Sequence, residues 1–176
     1  MAYGISLLLN AELADAVSER WHNLAAAGVS RSMPDFGYPP HVTLAVFDRL
    51  DAKVTAVALD HVFRHANRFE VTLTGIATFG PGSGVCYAAL ARSPALHLLH
   101  EAVLAAVGQT CRPHYQARHW TPHCTLATGL TDLDLARAQD LLAQGWPIAG
   151  GFEAGDLVEF APVVGIKRWA LSSIRA

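Results

Sequence analysis

Short apolar runs alternate along the chain with segments whose apolar residues recur at helical spacing. The runs predict buried or half-buried strands, because successive side chains of a strand point to opposite faces. The other segments predict helices with one apolar face. The predicted strands cover residues 3–9, 41–47, 69–79, 85–91, 123–130, 152–163 and 165–174. The predicted helices lie within residues 10–28, 51–67, 93–107 and 131–144.

Two irregular segments interrupt this alternation. Residues 28–40 and 110–122 are rich in glycine, proline and polar residues, which favours loops, and each leads directly into one of the predicted strands. A tight turn is expected at residues 80–84 and another between the last two strands. After the first strand, the order of helix, loop, strand, helix and strand pair therefore occurs twice, and it predicts an α+β domain.

Composition limits what this domain can be. The chain has 176 residues, of which 52% are hydrophobic and 16% charged, enough to build one sizeable core. We therefore expect a single domain over residues 1–176. The net charge of -2 excludes a protein with a strongly basic surface that binds duplex DNA mainly through its phosphates. A nucleic-acid partner is expected to be small, or to be the end of a longer strand.

The cysteines and the apolar runs indicate the compartment. Cys86, Cys111 and Cys124 are widely spaced and odd in number, so they suggest neither a disulfide framework nor a structural zinc site. No stretch approaches the roughly 20 apolar residues of a membrane span, and the N-terminus lacks the basic region of a signal peptide. The sequence predicts a soluble, cytoplasmic protein without a membrane partner.

One short motif occurs twice. PPHVTLA at residues 39–45 and TPHCTLA at residues 121–127 agree at five of seven positions and lie 82 residues apart, close to half the chain. In a strand, the histidine and the threonine of each motif share one face. A single copy would indicate only an edge strand whose polar residues face solvent. Such alternation is usual in a strand with one face exposed to water. Two copies at equivalent places favour a shared cleft.

A pseudo-two-fold arrangement would make His41 and His123 face each other with Thr43 and Thr125 beside them. Displacement at phosphorus needs a base on the attacking oxygen, an acid on the departing oxygen, and donors for the non-bridging oxygens. Two imidazoles and two hydroxyls provide these groups. Histidine suits both proton roles because its ordinary pKa of about 6.5 lies near neutrality.

The paired motifs, their separation, the chain length and the order of elements resemble the 2H phosphoesterase superfamily, which includes 2′-5′ RNA ligases and RNA 2′,3′-cyclic phosphodiesterases. The resemblance implies a bilobal pseudo-two-fold fold, with two antiparallel sheets lining a central cleft and helices outside. It also implies chemistry without metal or cofactor. By motif match, His41 and His123 are expected to be the catalytic acid-base pair, and Thr43 and Thr125 are expected to bind the phosphate.

The loops before the motifs are expected at the cleft rim. There, Tyr115 and Trp120 are candidates to stack on a nucleobase, and Arg118 is a candidate to pair with phosphate. Packing against the strands is the alternative for each of them. Other residues of the same kind in these loops are Arg31, Phe36, Tyr38, Arg112 and His119. A metal site from His114, His119 and His123 is a further alternative, although it would occupy an acid-base histidine.

The leading functional hypothesis is a hydrolase that opens a 2′,3′-cyclic phosphate of a nucleotide or an RNA end. One histidine would activate water while the other protonates the leaving ribose oxygen. Three alternatives stay open. These are 2′-5′ RNA ligase activity with a ribose hydroxyl in place of water, a nucleotide-binding module without turnover, and an interaction protein whose two motifs lie apart.

Overall fold

A computed structural model describes residues 1–80 and 82–173 as an antiparallel sheet with helices packed against it. The strands are β1 (Ala2–Leu9), β2 (His41–Phe47), β3 (Glu70–Thr78), β4 (Cys86–Leu90), β5 (His123–Ala127), β6 (Ile148–Phe160) and β7 (Val164–Ala170). The helices are α1 (Ala11–Ala26), α2 (Ser32–Phe36), α3 (Ala52–Arg64), α4 (Pro94–Val107) and α5 (Asp132–Leu141). A short 3₁₀ turn covers Pro113–Tyr115. These elements confirm the α+β class.

Local sequence signals account for most element boundaries. The side chains of Asn10, Ser93 and Thr131 accept hydrogen bonds from the first turns of α1, α4 and α5, as expected of N-caps. Gly28 follows α1 with a φ of 66°, a conformation that favours glycine. The loop at residues 28–40 contains the short helix α2, which the sequence analysis did not predict. None of the described helices is long and apolar enough to cross a membrane.

The end of the chain differs from the prediction. Strand β6 begins at Ile148 rather than at residue 152, because residues 148–151 pair with β3 before the rest of the strand pairs with β1 and β7. The last strand, predicted over residues 165–174, ends at Ala170, and Ile174 lies outside the described residues. Pro81, inside the predicted turn at residues 80–84, also lies outside them.

The sheet is continuous through β6. Its hydrogen-bonded order is β2-β1-β6-β3-β4-β5, and β7 pairs with the edge of β6 opposite to β1. Two four-stranded halves therefore share one long strand, β6. The two antiparallel sheets lining a central cleft, which the resemblance implies, stay a prediction. The shared strand joins the halves through backbone hydrogen bonds, so the motif strands β2 and β5 are placed by one framework.

The motif strands stand at opposite ends of this hydrogen-bonded order, yet they contact each other. The sheet must therefore curve until its two edges meet. The thiol of Cys124 in β5 lies at the backbone N–H of His41 in β2, which is a direct contact between the two motifs. Helix α1 packs on β5, and helix α4 packs on β2. The interaction protein with separated motifs is excluded by this contact.

Candidate active site

The two motif strands present their polar side chains in the same way. His41 and Thr43 are half-buried in β2, and His123 and Thr125 are half-buried in β5. The residues between and after them are fully buried, namely Val42, Leu44, Cys124 and Leu126. This alternation is what a strand with one buried face requires. Cys124 thus points into the core, away from the histidine and threonine beside it.

Each of the two imidazoles makes the same kind of hydrogen bond to a backbone carbonyl. Nδ1 of His41 lies 2.8 Å from the carbonyl oxygen of Pro39, and Nδ1 of His123 lies 2.7 Å from that of Thr121. A carbonyl oxygen only accepts, so Nδ1 must carry the proton in each ring. The neutral ring then has an unprotonated Nε2. Each histidine can accept a proton at Nε2 and later return it, while its ring stays oriented by the backbone.

The two histidines lie within electrostatic reach of each other. The pKa of His41 is lowered to about 4, chiefly by burial; the Pro39 carbonyl opposes this shift, and the nearby His123 contributes to it. Burial also lowers the pKa of His123, and its bond to Thr121 opposes this. Both rings are therefore neutral at pH 7 before a ligand binds. A bound phosphate anion would favour the protonated form of either ring.

The surroundings of the two rings are unlike. His41 contacts the edge of the Tyr38 ring, with the ring centroids 4.6 Å apart. His123 contacts two aromatic rings that also contact each other, with ring centroids 4.9 Å from Phe79 and 5.2 Å from Tyr87. The repeated motifs thus give a pair of similar imidazoles within a cleft whose walls are not symmetric.

Two tryptophans tie the motif strands to neighbouring elements. The indole N–H of Trp120 donates to the carbonyl of Thr43 at 3.0 Å, and that of Trp21 donates to the carbonyl of Thr125 at 3.0 Å. Trp120 is buried, and its ring stacks on His100 with the centroids 3.8 Å apart. It also lines the larger of two cavities at the motifs. The structure therefore gives Trp120 a packing role as well as a place at the cleft.

Two cavities flank the motif residues. One, of about 600 Å³, is lined by His123 and Thr125, and the other, of about 160 Å³, by His41 and Thr43. Tyr115 is half-buried and is a lining residue of both cavities. Arg118 is exposed and is not among the residues lining either cavity. Of the three rim candidates, two face the cleft and Arg118 does not.

The other cationic candidates near the motifs pair with carboxylates. Arg31 pairs with Asp35 at 3.1 Å, and Arg112 pairs with Asp48 at 2.6 Å. His114 and His119 line the same cavity as His123. Among residues 1–80 and 82–173, no three histidine, cysteine or acidic side chains gather as metal ligands. The metal alternative of the sequence analysis therefore has no ligand set in the described part of the chain.

A buried carboxylate beside the smaller cavity escaped the sequence analysis. Asp156 is 2% exposed, accepts a hydrogen bond from the Tyr38 hydroxyl at 3.0 Å, and pairs with Arg168 at 2.8 Å. In the sheet, Thr43, Ser6, Asp156 and Arg168 are direct cross-strand partners and so share one face. The only sequence signal was an aspartate inside an apolar strand. Its partners lie too far along the chain to be inferred.

The lowered pKa of His41 predicts a pH dependence of stability. The folded protein holds His41 with a pKa of about 4, below the ordinary 6.5, so the unfolded chain binds more protons between these values. Stability is thus retained above pH 6.5 and lost as the pH falls toward 4. Urea unfolding at pH 7 and pH 5 measures this, and His41 contributes up to about 2 kcal/mol of the loss. His41→Asn should flatten the dependence, and an unchanged dependence would contradict this prediction.

The curved antiparallel sheet with paired His-x-Thr strands defines a 2H phosphoesterase. The family model of the 2′-5′ RNA ligase superfamily matches residues 12–158, and the chain belongs to that superfamily. No curated protein matches the sequence.

Solved structures show the same fold at low sequence identity. LigT of E. coli in complex with 3′-AMP has a TM-score of 0.62 at 20% identity, over 96% of this chain and 97% of that one. TT0787 of Thermus thermophilus has a TM-score of 0.61 at 20% identity, over 99% and 100%. A structure described as a phosphoesterase has a TM-score of 0.61 at 17% identity, over 97% and 98%. At these identities the likeness concerns the fold alone.

Proposed function

We propose that the protein is a metal-independent phosphodiesterase that opens the 2′,3′-cyclic phosphate of a nucleotide or an RNA end. One observation carries the proposal. His41 and His123 lie on contacting strands, and each has its Nδ1 bound to a backbone carbonyl, which leaves Nε2 to exchange a proton. Two bases prepared in this way on the two sides of one cleft suit in-line displacement at phosphorus.

The proposed reaction removes one proton on the attacking side of the phosphorus and delivers one proton on the leaving side. One histidine takes a proton from water through Nε2, and the water oxygen forms a new bond to phosphorus. The bond from phosphorus to one ribose oxygen breaks, and the other histidine, in its protonated form, donates its Nε2 proton to that oxygen. The product is a ribose phosphate monoester with a free hydroxyl. A proton exchange with solvent then restores both rings.

Thr43 and Thr125 are proposed to stabilise the phosphate during this step. Each hydroxyl lies two residues from its histidine on the same strand face, and each lines the cavity of that histidine. Donors held at the non-bridging oxygens lower the barrier because negative charge grows there in the transition state. Trp120 and Trp21 keep the backbone of both threonines in place through their indole hydrogen bonds.

Tyr115 and Trp120 are proposed to contact the substrate from the cleft wall, because both line the larger cavity. The substrate class has support from the fold as well, since a solved structure of similar fold holds 3′-AMP. The position of Arg118 outside the cavity linings gives no support to a phosphate contact in this conformation. Arg118 is therefore a candidate only to contact the outer part of an RNA strand.

A second candidate is 2′-5′ RNA ligase activity, which the family match favours. The same proton transfers would then serve a ribose hydroxyl that attacks phosphorus in place of water. Nucleotide binding without turnover is the remaining alternative. Binding alone gives no reason for both imidazoles to have a protonated Nδ1 and an unprotonated Nε2.

A turnover panel should separate these activities. Nucleoside 2′,3′-cyclic phosphates and an RNA with a 2′,3′-cyclic phosphate end are incubated with the protein in the presence of a chelator, with water as the sole acceptor, and products are resolved by chromatography. We expect conversion to a monophosphate. Added RNA with a 5′-hydroxyl end tests for ligation. Binding without conversion of any substrate, or strict dependence on an added divalent ion, would contradict the proposal.

A further inference from the structure

The residue three positions before each motif histidine is aromatic. Tyr38 stands before His41, and Trp120 stands before His123. Both aromatic residues are buried. The hydroxyl of Tyr38 donates a hydrogen bond to Asp156 of β6 at 3.0 Å, and the indole N–H of Trp120 donates to a backbone carbonyl of β2 at 3.0 Å. Each half of the chain therefore fixes an aromatic ring beside its motif by a hydrogen bond to another strand.

Tyr38 is connected to His41 in two ways. The two rings meet edge to face, with their centroids 4.6 Å apart. The chain also runs from Tyr38 directly into Pro39, whose carbonyl oxygen lies 2.8 Å from Nδ1 of His41. Proline fixes its own φ and restricts the residue before it, so the backbone between the Tyr38 ring and that carbonyl is stiff. A displacement of Tyr38 would therefore move both the ring that contacts the imidazole and the carbonyl that orients it.

A buried carboxylate holds the Tyr38 hydroxyl. Asp156 is 2% exposed, and one of its oxygens accepts hydrogen bonds from Tyr38 at 3.0 Å and from Arg168 at 2.8 Å. The hydroxyl of Ser6, which is the partner of Asp156 on β1, forms a further hydrogen bond with the Tyr38 hydroxyl. A buried carboxylate that loses a donor is destabilised, so this network favours one position of Tyr38.

Packing alone requires neither the hydroxyl nor the carboxylate. The Tyr38 ring lies in a small apolar cluster with Leu8, Ala154 and Val158, where a phenylalanine ring would fill the same space. Burying a charge costs free energy, and well-packed apolar residues in place of a buried ion pair are often at least as stabilising. A role in the site accounts for the buried carboxylate, because a hydrogen-bonded ring keeps one orientation.

We propose that Tyr38 and Asp156 are positioning residues of the candidate site. Their hydrogen bond holds the Pro39 carbonyl in place and so keeps the His41 imidazole oriented for proton exchange at Nε2. This inference rests on the proposed function and adds two residues outside the motifs to it. His123 should not depend on Tyr38, because the backbone before His123 is anchored to β2 instead.

The first experiment measures the state of the rings without turnover. Proton–nitrogen correlation spectra of protein with isotope-labelled histidine report at pH 7 which nitrogen of each imidazole carries the proton. His41→Asn and His123→Asn assign the two signals, and the wild-type protein should have both rings protonated at Nδ1. Tyr38→Phe removes only the hydroxyl. We expect it to give His41 a mixture of the two neutral tautomers, because the carbonyl no longer holds the ring, and to leave the signal of His123 unchanged.

The second experiment is steady-state kinetics with a nucleoside 2′,3′-cyclic phosphate. Tyr38→Phe should lower kcat by about 10- to 100-fold, where 100-fold is the cost of misplacing a reacting group by about 1 Å. KM should change much less, because the imidazole exchanges its proton in the transition state. Asp156→Asn weakens the same bond from its other end and should lower kcat as well. The double variant should be no slower than the slower single variant, since both changes act on one bond.

Tyr3→Phe is the matched control. It removes the hydroxyl of a half-buried tyrosine of β1 that lines neither motif cavity, so the tautomers and the rates should stay as in the wild-type protein. Tyr38→Phe keeps the buried ring and should fold, which urea unfolding checks. Asp156→Asn provides a second variant that tests the same bond.

An unchanged His41 tautomer or an unchanged kcat in Tyr38→Phe would overturn the positioning role. Equal changes at His41 and His123 would overturn it as well, because they would indicate a general loosening of the site. Losses that multiply in the double variant would show that Asp156 does not act through Tyr38. If the wild-type protein turns over no cyclic phosphate, the proposed function fails while the tautomers still decide whether Tyr38 orients His41.

Discussion

Replacing either motif histidine by alanine is expected to lower kcat for a nucleoside 2′,3′-cyclic phosphate by a factor of about 10² to 10⁴, the usual contribution of one positioned acid or base. His41 and His123 exchange protons through the same ring nitrogen, because each Nδ1 is engaged by a backbone carbonyl. Neither can replace the other, since the attacking and leaving oxygens lie on opposite sides of phosphorus. The measurement is steady-state kinetics of both single variants.

Two controls make this result specific. His61→Ala changes a histidine of α3 that lies outside both motif cavities, and it should retain wild-type rates. The double variant His41→Ala, His123→Ala should lose much less than the product of the two single losses, because the residues act as one unit. Wild-type rates in both single variants would contradict the mechanism. A loss in one variant alone would mean that the second imidazole has no proton role.

Replacing Thr43 or Thr125 by valine should lower kcat by roughly 10²- to 10³-fold, as expected for removal of one donor to a developing oxyanion. Valine matches the shape of threonine and lacks the hydroxyl, so the half-buried strand position stays filled. KM should change less than kcat, because the hydrogen bond strengthens as charge develops on the phosphate oxygen. Initial-rate kinetics over a range of substrate concentrations separates the two effects.

Serine and a distant threonine are the controls for this second prediction. Thr43→Ser and Thr125→Ser keep the hydroxyl and should recover most of the rate. Thr74→Val changes an exposed threonine of β3 outside the cavities and should leave the kinetics unchanged. If valine at both motif positions raised KM and left kcat intact, the threonines would bind the phosphate equally in ground and transition states, and their proposed role would be wrong.

Local patterns predicted much of the fold. The alternation of polar and apolar residues in β2 and β5 depends on neighbouring residues alone, and the structure confirms it at each motif. The caps of α1, α4 and α5 involve bonds across three residues, so Asn10, Ser93 and Thr131 could be identified from the sequence. The family resemblance suggested by the paired motifs is likewise confirmed by the match over residues 12–158.

The surroundings of the motifs could not be predicted in this way. The hydroxyl of Tyr38 meets Asp156 across 118 positions of the chain, and the indole of Trp120 meets Thr43 across 77. Such contacts depend on how loops pack over the sheet. The start of strand β6 could not be predicted either, because its first residues pair with β3 in a register that the periodicity of the sequence does not indicate.

The sequence by itself determined the family and the residues of the proposed chemistry, because the repeated His-x-Thr strands place like side chains on like faces through backbone geometry that each strand sets locally. Only the tertiary structure decided that β2 and β5 meet, since they are the two ends of a sheet that must curve through five pairings. It also decided that the cleft is unequal, with a large aromatic cavity at His123 and a small one at His41. Phe79 lines only the larger cavity and Tyr38 only the smaller one, and the positions of both depend on long-range packing.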